Sequence, residues 1–278
     1  MKKYYRLYGY LLAGVVVLSS CQKFDRPALG DFPKDDKPLP AGDLRFYVPF
    51  TEVSPINAQN MTDSISQNPS YRNNLTLTDG INGKALQGAD GIAVKYLNAN
   101  DIKSATSLTV AFWVKRGVND RTELYFGLTG SSTDYWHQSP LFLLVEHGTA
   151  TEATVKFAVD DKWYEFTDAN KMKRPLLDGN WHHLAIVYDE ATSKTTFYFD
   201  GAPITDAPAS ATTNGGQTGP LKIKSAGNMI LGGWNKHVGL PGVTDDWVKS
   251  FTGAMDQFRL YNKALSATEV LALYNSKL

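Results

Sequence analysis

The chain has 278 residues, with 28 basic and 28 acidic side chains, a formal net charge of +0 and a single cysteine. The balanced charge argues against a protein that binds nucleic acid over a broad surface, and one cysteine excludes an intramolecular disulfide or a cysteine-rich zinc site. With 12% aromatic residues and 23 glycines, the composition favours an all-β domain held together by its own apolar core.

The first twenty residues have the features of a bacterial signal peptide. Lys2, Lys3 and Arg6 form a basic head, and the apolar run that follows at residues 11–18 is too short to span a bilayer. The run ends in Leu-Ser-Ser-Cys, which resembles a lipobox, so Cys21 is the predicted lipid attachment site. We therefore expect a lipoprotein on a bacterial membrane, at the outer membrane or cell surface. The alternative is an ordinary secretory signal followed by a buried cysteine.

Residues 21–41 have the composition of a tether. They contain Pro27, Pro33, Pro38 and Pro40 among charged residues and few large apolar side chains. Removal of residues 1–20 would take away three basic residues and leave a net charge of −3. We expect the folded domain to occupy residues 42–278.

From residue 43 onward, runs with strand periodicity recur between turn signals. In residues 108–115, Leu108, Val110, Phe112 and Val114 alternate with the other side chains, a period of two that is typical of a strand with one face in the core. Asp-Gly and Asn-Gly pairs such as Asp200-Gly201 stand between the runs and favour tight turns. About a dozen strands fit, at the spacing of a sandwich or jelly roll.

One helix is predicted at the end of the chain, after a last strand over residues 251–261. Ser266 and Glu269 have the spacing of a capping box. Val270, Leu273 and Tyr274 share one face of this helix. We expect that face to pack against the sandwich.

Three segments in order resemble a known sequence pattern. Residues 107–115 (SLTVAFWVK), residues 180–201 with their Trp-His strand and Phe-Asp-Gly hairpin, and residues 251–262 (FTGAMDQFRLYN) are similar to strands of laminin G-like domains of the concanavalin A-like lectin/glucanase superfamily. The resemblance covers residues 43–278. It implies an all-β, two-sheet antiparallel jelly-roll sandwich with a short C-terminal helix. That fold serves lectins, carbohydrate-binding modules, adhesion domains and glucanases, so the fold alone does not choose among these functions.

The sequence lacks the expected features of an enzyme. Glucanases of the superfamily carry a Glu-x-Asp-x-x-Glu strand, which this chain does not contain, and its acidic pairs Asp160-Asp161, Asp189-Glu190 and Asp245-Asp246 would point to opposite faces of a strand. His182 and His183 are adjacent, without metal-ligand spacing, and we expect one ring in the core and the other at the surface. We therefore expect no enzyme, although two carboxylates from distant segments could still form a hydrolase site.

Two aromatic segments are candidate sugar-binding loops, because flat aromatic faces stack on sugar rings. The first contains Tyr135, Trp136 and His137, and the second is bracketed by Trp234 and Trp247. These five residues are the predicted carbohydrate contacts. The alternative is that the tryptophans pack in the core.

The resemblance also implies a structural Ca²⁺ site. In many relatives the aspartate that corresponds to Asp256 helps to bind the ion. The sequence does not name the six to eight oxygens that Ca²⁺ requires. Asp256 could instead accept hydrogen bonds from the backbone or pair with Arg259.

The prediction is a non-catalytic, lectin-like domain that binds a glycan or polysaccharide and is attached to a membrane through Cys21. The alternative is an adhesion or assembly module that binds a protein partner. A glycoside hydrolase is the third and least favoured function, and no nucleic acid partner is expected.

Overall fold

The computed structural model describes residues 42–50, 69–71, 74–97, 99–131, 135–213, 219–240 and 245–277. The predicted signal peptide (1–20), tether (21–41) and lipidation site Cys21 lie outside the described residues, and the domain boundary at residue 42 stays a prediction. Within the described residues, no helix is both long and apolar enough to cross a bilayer.

The described residues form two β-sheets. The first sheet has eight strands: β1 (Leu44–Val48), β2 (Thr76–Asp79), β3 (Lys84–Gln87), β5 (Leu108–Lys115), β10 (Trp181–Asp189), β11 (Lys194–Phe199), β12 (Ala202–Pro203) and β15 (Ala254–Tyr261). Their order is β12-β11-β10-β5-β15-β3-β2, and β1 also pairs with β15. Every pairing in this sheet is antiparallel.

The second sheet has seven strands: β4 (Val94–Tyr96), β6 (Thr122–Leu128), β7 (Leu141–Gly148), β8 (Ala153–Val159), β9 (Lys162–Phe166), β13 (Met229–Leu231) and β14 (Val248–Ser250). Their order is β4-β13-β6-β7-β8-β9. The short strand β14 pairs in parallel with β6, and the other pairings are antiparallel. The predicted two-sheet sandwich is confirmed.

The helical elements are short. They are α1 (Ala209–Thr212), α2 (Ala267–Ser276) and 3₁₀ turns at Ile102–Ser104, Trp136–Gln138, Asp168–Asn170 and Asn235–Val238. The predicted capping box is present on α2, where Ser266 N–H donates to the Glu269 carboxylate at 2.7 Å and Glu269 N–H donates to the Ser266 hydroxyl. The predicted apolar face of α2 packs on the first sheet, where Tyr274 stacks on Trp113 with ring centroids 5.4 Å apart.

The main core lies between the sheets and follows the strand alternation. Val110, Phe112 and Val114 of β5 point into it. Ala111 and Trp113 point to the opposite face of the first sheet, and they are also buried because α2 covers that face. Strand β5 is therefore buried on both faces, which explains why its sequence is almost continuously apolar.

The last strand of the first sheet is shorter than predicted. The prediction began it at residue 251, whereas β15 begins at Ala254. The three residues before it carry the chain from β14 in the second sheet to β15 in the first. Gly253 makes this crossing possible, since a Cβ at this position would collide with the carbonyl oxygen of Lys115.

The acidic pair Asp160-Asp161 and the predicted turn pair Asp200-Gly201 both form hairpin turns. Asp160 and Asp161 both have positive φ, 49° and 65°, between β8 and β9, and Asp200 and Gly201 do the same between β11 and β12. Two consecutive positive φ values are the geometry of a type I′ turn, which asparagine, aspartate and glycine tolerate best. Asp160 and Asp161 thus serve the backbone of a hairpin.

Candidate functional site

Three tryptophans from separate parts of the chain meet on the outer face of the second sheet, the face that points away from the main core. Trp136 lies at the centre, with its ring edge-to-face with Trp163 at 5.9 Å and with Trp247 at 5.4 Å. Phe142 of β7 supports both Trp136 and Trp163 from below. We call Trp136, Trp163 and Trp247 the aromatic shelf.

The strand periodicity of β7 to β9 positions this shelf. Phe142, Ala158 and Trp163 lie side by side across the three strands, since Phe142 pairs with Ala158 and Ala158 pairs with Trp163. Their neighbours along the strands, such as Phe157 and Tyr164, point into the main core. Side chains two residues apart share a face, so this row is fixed by register.

The shelf is anchored by one partly buried hydrogen bond between side chains. The indole Nε1–H of Trp136 donates to Oδ2 of Asp245 at 2.8 Å. Trp136 is only 5% exposed, whereas Trp247, two residues after Asp245, is 54% exposed. Trp136 therefore supports the shelf from below, and Trp247 presents an open aromatic ring to solvent.

The other predicted carbohydrate contacts also divide into surface residues and buried residues. Tyr135 and His137 flank Trp136 at the surface and stack on one another at 5.3 Å. Trp234 is 1% exposed and packs beneath the surface, where its Nε1–H donates to the carbonyl of Val248 at 3.4 Å. The structure therefore brings Tyr135, Trp136, His137 and Trp247 together, with Trp234 below them in the apolar layer.

Sequence reasoning missed Trp163, which completes the shelf. It lies in β9 and is half-buried. The signal was present in the alternation of Lys162–Phe166, where Trp163 and Glu165 occupy one face and the buried Tyr164 and Phe166 the other. What the sequence did not indicate was that Trp136 would pack against this particular strand.

Polar side chains continue the same face beyond the shelf. They line a surface depression of about 290 Å³ that includes Glu146, Thr154, Lys156, Glu165 and Asp168. Lys156 and Glu146 form an ion pair of 2.7 Å across β7 and β8. One sheet face thus offers an aromatic surface next to groups that can donate hydrogen bonds to hydroxyls or accept them.

The surroundings of Asp256 do not fit a Ca²⁺ site. Asp256 is fully buried, and its Oδ2 accepts the backbone N–H of Ile81 at 2.9 Å. Burial raises the pKa of Asp256 to about 6, although backbone N–H groups of Ile81, Asn82 and Gln257 oppose the shift. Ca²⁺ needs a shell of oxygens, whereas Oδ2 accepts a backbone N–H and the described residues place no group of three or more His, Cys, Asp or Glu side chains that could hold a metal ion. The sequence left open whether Asp256 accepts hydrogen bonds from the backbone or pairs with Arg259. In the structure it accepts a hydrogen bond from the backbone of the β2–β3 turn.

The two adjacent histidines are both buried, so the prediction that one ring lies at the surface was wrong. His183 contacts Trp113 beneath α2, with ring centroids 5.3 Å apart. His182 lies between two carboxylates, with Nδ1 2.9 Å from Asp200 and Nε2 3.1 Å from Asp178. The outer face of β10 is covered by the C-terminal helix, which the local alternation of one strand does not reveal.

Solved structures with the same fold include carbohydrate-related proteins. Domain 4 of AbnA, a GH43 extracellular arabinanase from Geobacillus stearothermophilus solved in complex with arabinotriose, is 18% identical with a TM-score of 0.53, and the match covers 84% of this chain and 98% of that domain. The receptor-binding domain of botulinum neurotoxin type G is 13% identical with a TM-score of 0.54 and coverages of 85% and 52%. A botulinum neurotoxin type C structure, from a study of cell entry dependent on two ganglioside molecules, is 10% identical with a TM-score of 0.56 and coverages of 85% and 51%.

These identities show a shared fold, and this chain spans only about half the length of the two toxin structures. No curated protein matches the chain by sequence. Residues 87–271 match the family described as the Concanavalin A-like lectin/glucanases superfamily. That match covers more than half of the chain, so the chain belongs to the concanavalin A-like lectin/glucanase superfamily.

Proposed function

We propose that this protein is a non-catalytic carbohydrate-binding domain whose ligand lies along the outer face of the second sheet. The observation that carries the proposal is the exposed ring of Trp247, held edge-to-face against the buried ring of Trp136. A rigid, solvent-facing aromatic ring supplies a stacking surface for the C–H side of a sugar, and it costs little conformational entropy because its support is already packed.

The polar half of the same face supplies the second requirement for sugar recognition. Lys156 and Glu165 occupy directly opposed positions on β8 and β9, one row along from Ala158 and Trp163. Thr154 and Glu146 continue beyond them around the depression. A sugar stacked on the shelf would place its neighbouring residues along these donors and acceptors, which suits an oligosaccharide better than a single ring.

Among the structural neighbours, the arabinanase domain is the relevant support. It is matched over 98% of its length and was solved with arabinotriose, which is itself an oligosaccharide. The toxin structures support the proposal less, because only half of each is matched.

The arrangement of acidic residues supports a binding role rather than hydrolysis. Glycoside hydrolysis needs an acid and a second carboxylate that face one another across the scissile bond. Glu146 on β7 and Glu165 on β9 lie on either side of strand β8, which carries Lys156. Lys156 stands between them and holds Glu146 in an ion pair.

We also propose that Cys21 carries a lipid that attaches the domain to a bacterial membrane, at the outer membrane or cell surface. The support is the sequence pattern alone: a basic head, a short apolar run and Leu-Ser-Ser-Cys. Replacing Cys21→Ser should release the protein from the membrane fraction, and a mutant that stays in that fraction would contradict the anchor.

The binding proposal is tested by presenting the detergent-solubilised full chain to a polysaccharide array and measuring affinities for the bound glycans. Trp247→Ala should weaken binding about tenfold while the melting temperature changes little, because an exposed ring contributes mainly to the ligand. The control is Leu271→Ala, which removes an exposed apolar side chain from α2, on the first sheet.

Three results would contradict the proposal. They are no binding to any polysaccharide, equal binding by the Trp247→Ala and wild-type chains, or release of new reducing ends from a bound glycan. The first, together with a protein captured in a Trp247-dependent manner, would favour an adhesion module. The large exposed apolar side chains of the described residues, Leu97, Val118, Trp247 and Leu271, lie on four different segments, so they do not favour that alternative beforehand.

A further inference from the structure

A cationic pocket lies beside the aromatic shelf and has no role in the sugar stacking described above. It is a surface pocket of about 470 Å³, and its lining includes four basic residues, Arg121, Lys236, His237 and Lys249, and one acidic residue, Asp90. We call these four basic residues the cationic pocket. They come from the loop before β6, from the 3₁₀ turn at Asn235–Val238 and from β14, so only the tertiary structure brings them together.

The pairing of these charges leaves a surplus cation. Arg121 pairs with Asp90 and, at 3.8 Å, with Glu123, whose carboxylate also binds Arg116. Lys236 pairs with Asp246. The ammonium group of Lys249 forms no ion pair or hydrogen bond with any residue that the structure describes, and the side chain is exposed. Among the cations of the pocket, Lys249 is therefore the one without a carboxylate partner among the described residues, and it is the one that an incoming anion would meet.

His237 adds a neutral donor at the wall of the pocket. It is 8% exposed, and its Nδ1 accepts the backbone N–H of Trp234 at 3.3 Å, so the neutral ring carries its proton on Nε2. Burial lowers the pKa of His237 to about 4, and Lys236 and Lys249 act in the same direction. The ring thus stays neutral near pH 7, and the field around it is positive.

The pocket and the shelf are joined by one short segment, residues 245–249. Asp245 bonds to Trp136, Asp246 pairs with Lys236, Trp247 belongs to the shelf and Lys249 belongs to the pocket. Trp247 and Lys249 are two residues apart at the start of a strand, a separation of about 7 Å along the backbone. A sugar stacked on Trp247 would therefore have an acidic substituent within reach of Lys249.

We propose that the cationic pocket binds the acidic group of a sugar, so that the ligand class is a glycan whose rings carry a carboxylate or a sulfate. This inference rests on the proposed function, because Trp247 supplies the stacking and Lys249 the charge selection. An ammonium group attracts an anion and gains little from a neutral hydroxyl, so acidic and neutral forms of one polymer should differ in affinity.

The test is native affinity electrophoresis of the full chain in gels that contain matched polymers. Polygalacturonate is compared with its methyl ester, and dextran sulfate is compared with dextran. We expect retardation by at least one acidic polymer that exceeds retardation by its neutral partner about fivefold or more, the size of effect expected from one exposed charge pair. Comparison of the polygalacturonate result with the dextran sulfate result shows whether the pocket binds a carboxylate or a sulfate.

Two variants with the same change of charge separate a specific pocket from general attraction. Lys249→Ala should lose the preference for the acidic polymer, whereas Lys222→Ala, at an exposed position outside the pocket, should keep it. Equal losses in the two variants, or equal retardation by acidic and neutral polymers, would overturn the inference. If neutral glycans still bind in a Trp247-dependent manner, the proposed function survives that result; if no polysaccharide binds at all, both fail.

Discussion

The indole N–H of Trp136 and the carboxylate of Asp245 form a hydrogen bond of 2.8 Å between residues 109 positions apart in the chain. This contact ties the loop before β7 to the segment before β14. It also fixes the ring on which Trp247 rests, so a hydrogen bond beneath the surface determines the geometry of the exposed site.

Loss of this bond should affect both stability and binding. Asp245→Ala leaves a buried indole N–H without its acceptor, and we expect a loss of about 1–3 kcal/mol in the free energy of unfolding together with weaker glycan binding. Asp245→Asn keeps an oxygen that can accept the bond and serves as the matched control. Urea denaturation and array binding measure the two effects, and equal behaviour of the alanine and asparagine variants would contradict this role.

His183, which is fully buried in β10, should make the domain less stable in acid. Burial lowers the pKa of His183 to about 4, with Arg259 adding to the effect. Between pH 6.5 and pH 4, His183 is protonated in the unfolded chain, where its pKa is about 6.5, but stays neutral in the folded chain. The contribution of His183 to stability is therefore complete above this pKa and is lost as the pH falls towards 4.

The variant His183→Phe tests this sign, because it keeps an aromatic ring against Trp113 and Tyr274 but cannot titrate. We expect the free energy of unfolding of the variant, relative to wild type, to be larger at pH 5 than at pH 8 by ~2 kcal/mol, because only the wild type loses stability in acid. Denaturation curves at the two pH values measure this difference. A difference of the opposite sign, or none, would refute the assignment.

The fully buried carboxylate of Glu123 should be one of the most sensitive positions in the fold. It accepts two hydrogen bonds from Arg116, at 2.9 and 3.0 Å, and one from the Thr252 hydroxyl at 2.7 Å. Glu123→Ala would leave Arg116 without this partner, and we expect a cost of about 3–5 kcal/mol. Thr252→Val removes only the hydroxyl and should cost about 1 kcal/mol. Chemical denaturation of both variants checks the order, and a larger loss for Thr252→Val would contradict it.

Removal of calcium should leave the domain unchanged. Oδ2 of Asp256 accepts the backbone N–H of Ile81 in the β2–β3 turn, and the described residues contain no group of three or more possible metal ligands. We therefore expect the same melting temperature in excess Ca²⁺ and in excess chelator. A rise of several degrees with Ca²⁺ would show that the ion binds the folded chain, and it would return Asp256 to the role implied by the family resemblance.

Local patterns were sufficient where a structure depends on neighbours in the chain. The capping box of Ser266 and Glu269 and the alternation of residues 108–115 each involve contacts or periodicities within a few positions, and the structure confirms them. The predicted start of the last strand was wrong because residues 251–253 cross between sheets, and a crossing leaves no periodic signal.

The exposure of individual tryptophans could not be predicted from local sequence patterns. Trp234 and Trp247 bracket one loop in sequence, yet one is buried and the other is open to solvent. Which of them is covered depends on the path of residues 135–138 over β7 to β9. That path is fixed by contacts over a hundred residues apart, such as the bond between Trp136 and Asp245.

The sequence by itself determined the sandwich, its family and the C-terminal helix, because alternation and capping are short-range consequences of backbone geometry. Only the tertiary structure decided which aromatic rings form a surface, because that depends on which face of a sheet distant segments cover. It also placed Trp163 and Trp247 against Trp136, turned Asp256 inward to the backbone, and gathered Arg121, Lys236 and Lys249 into one pocket.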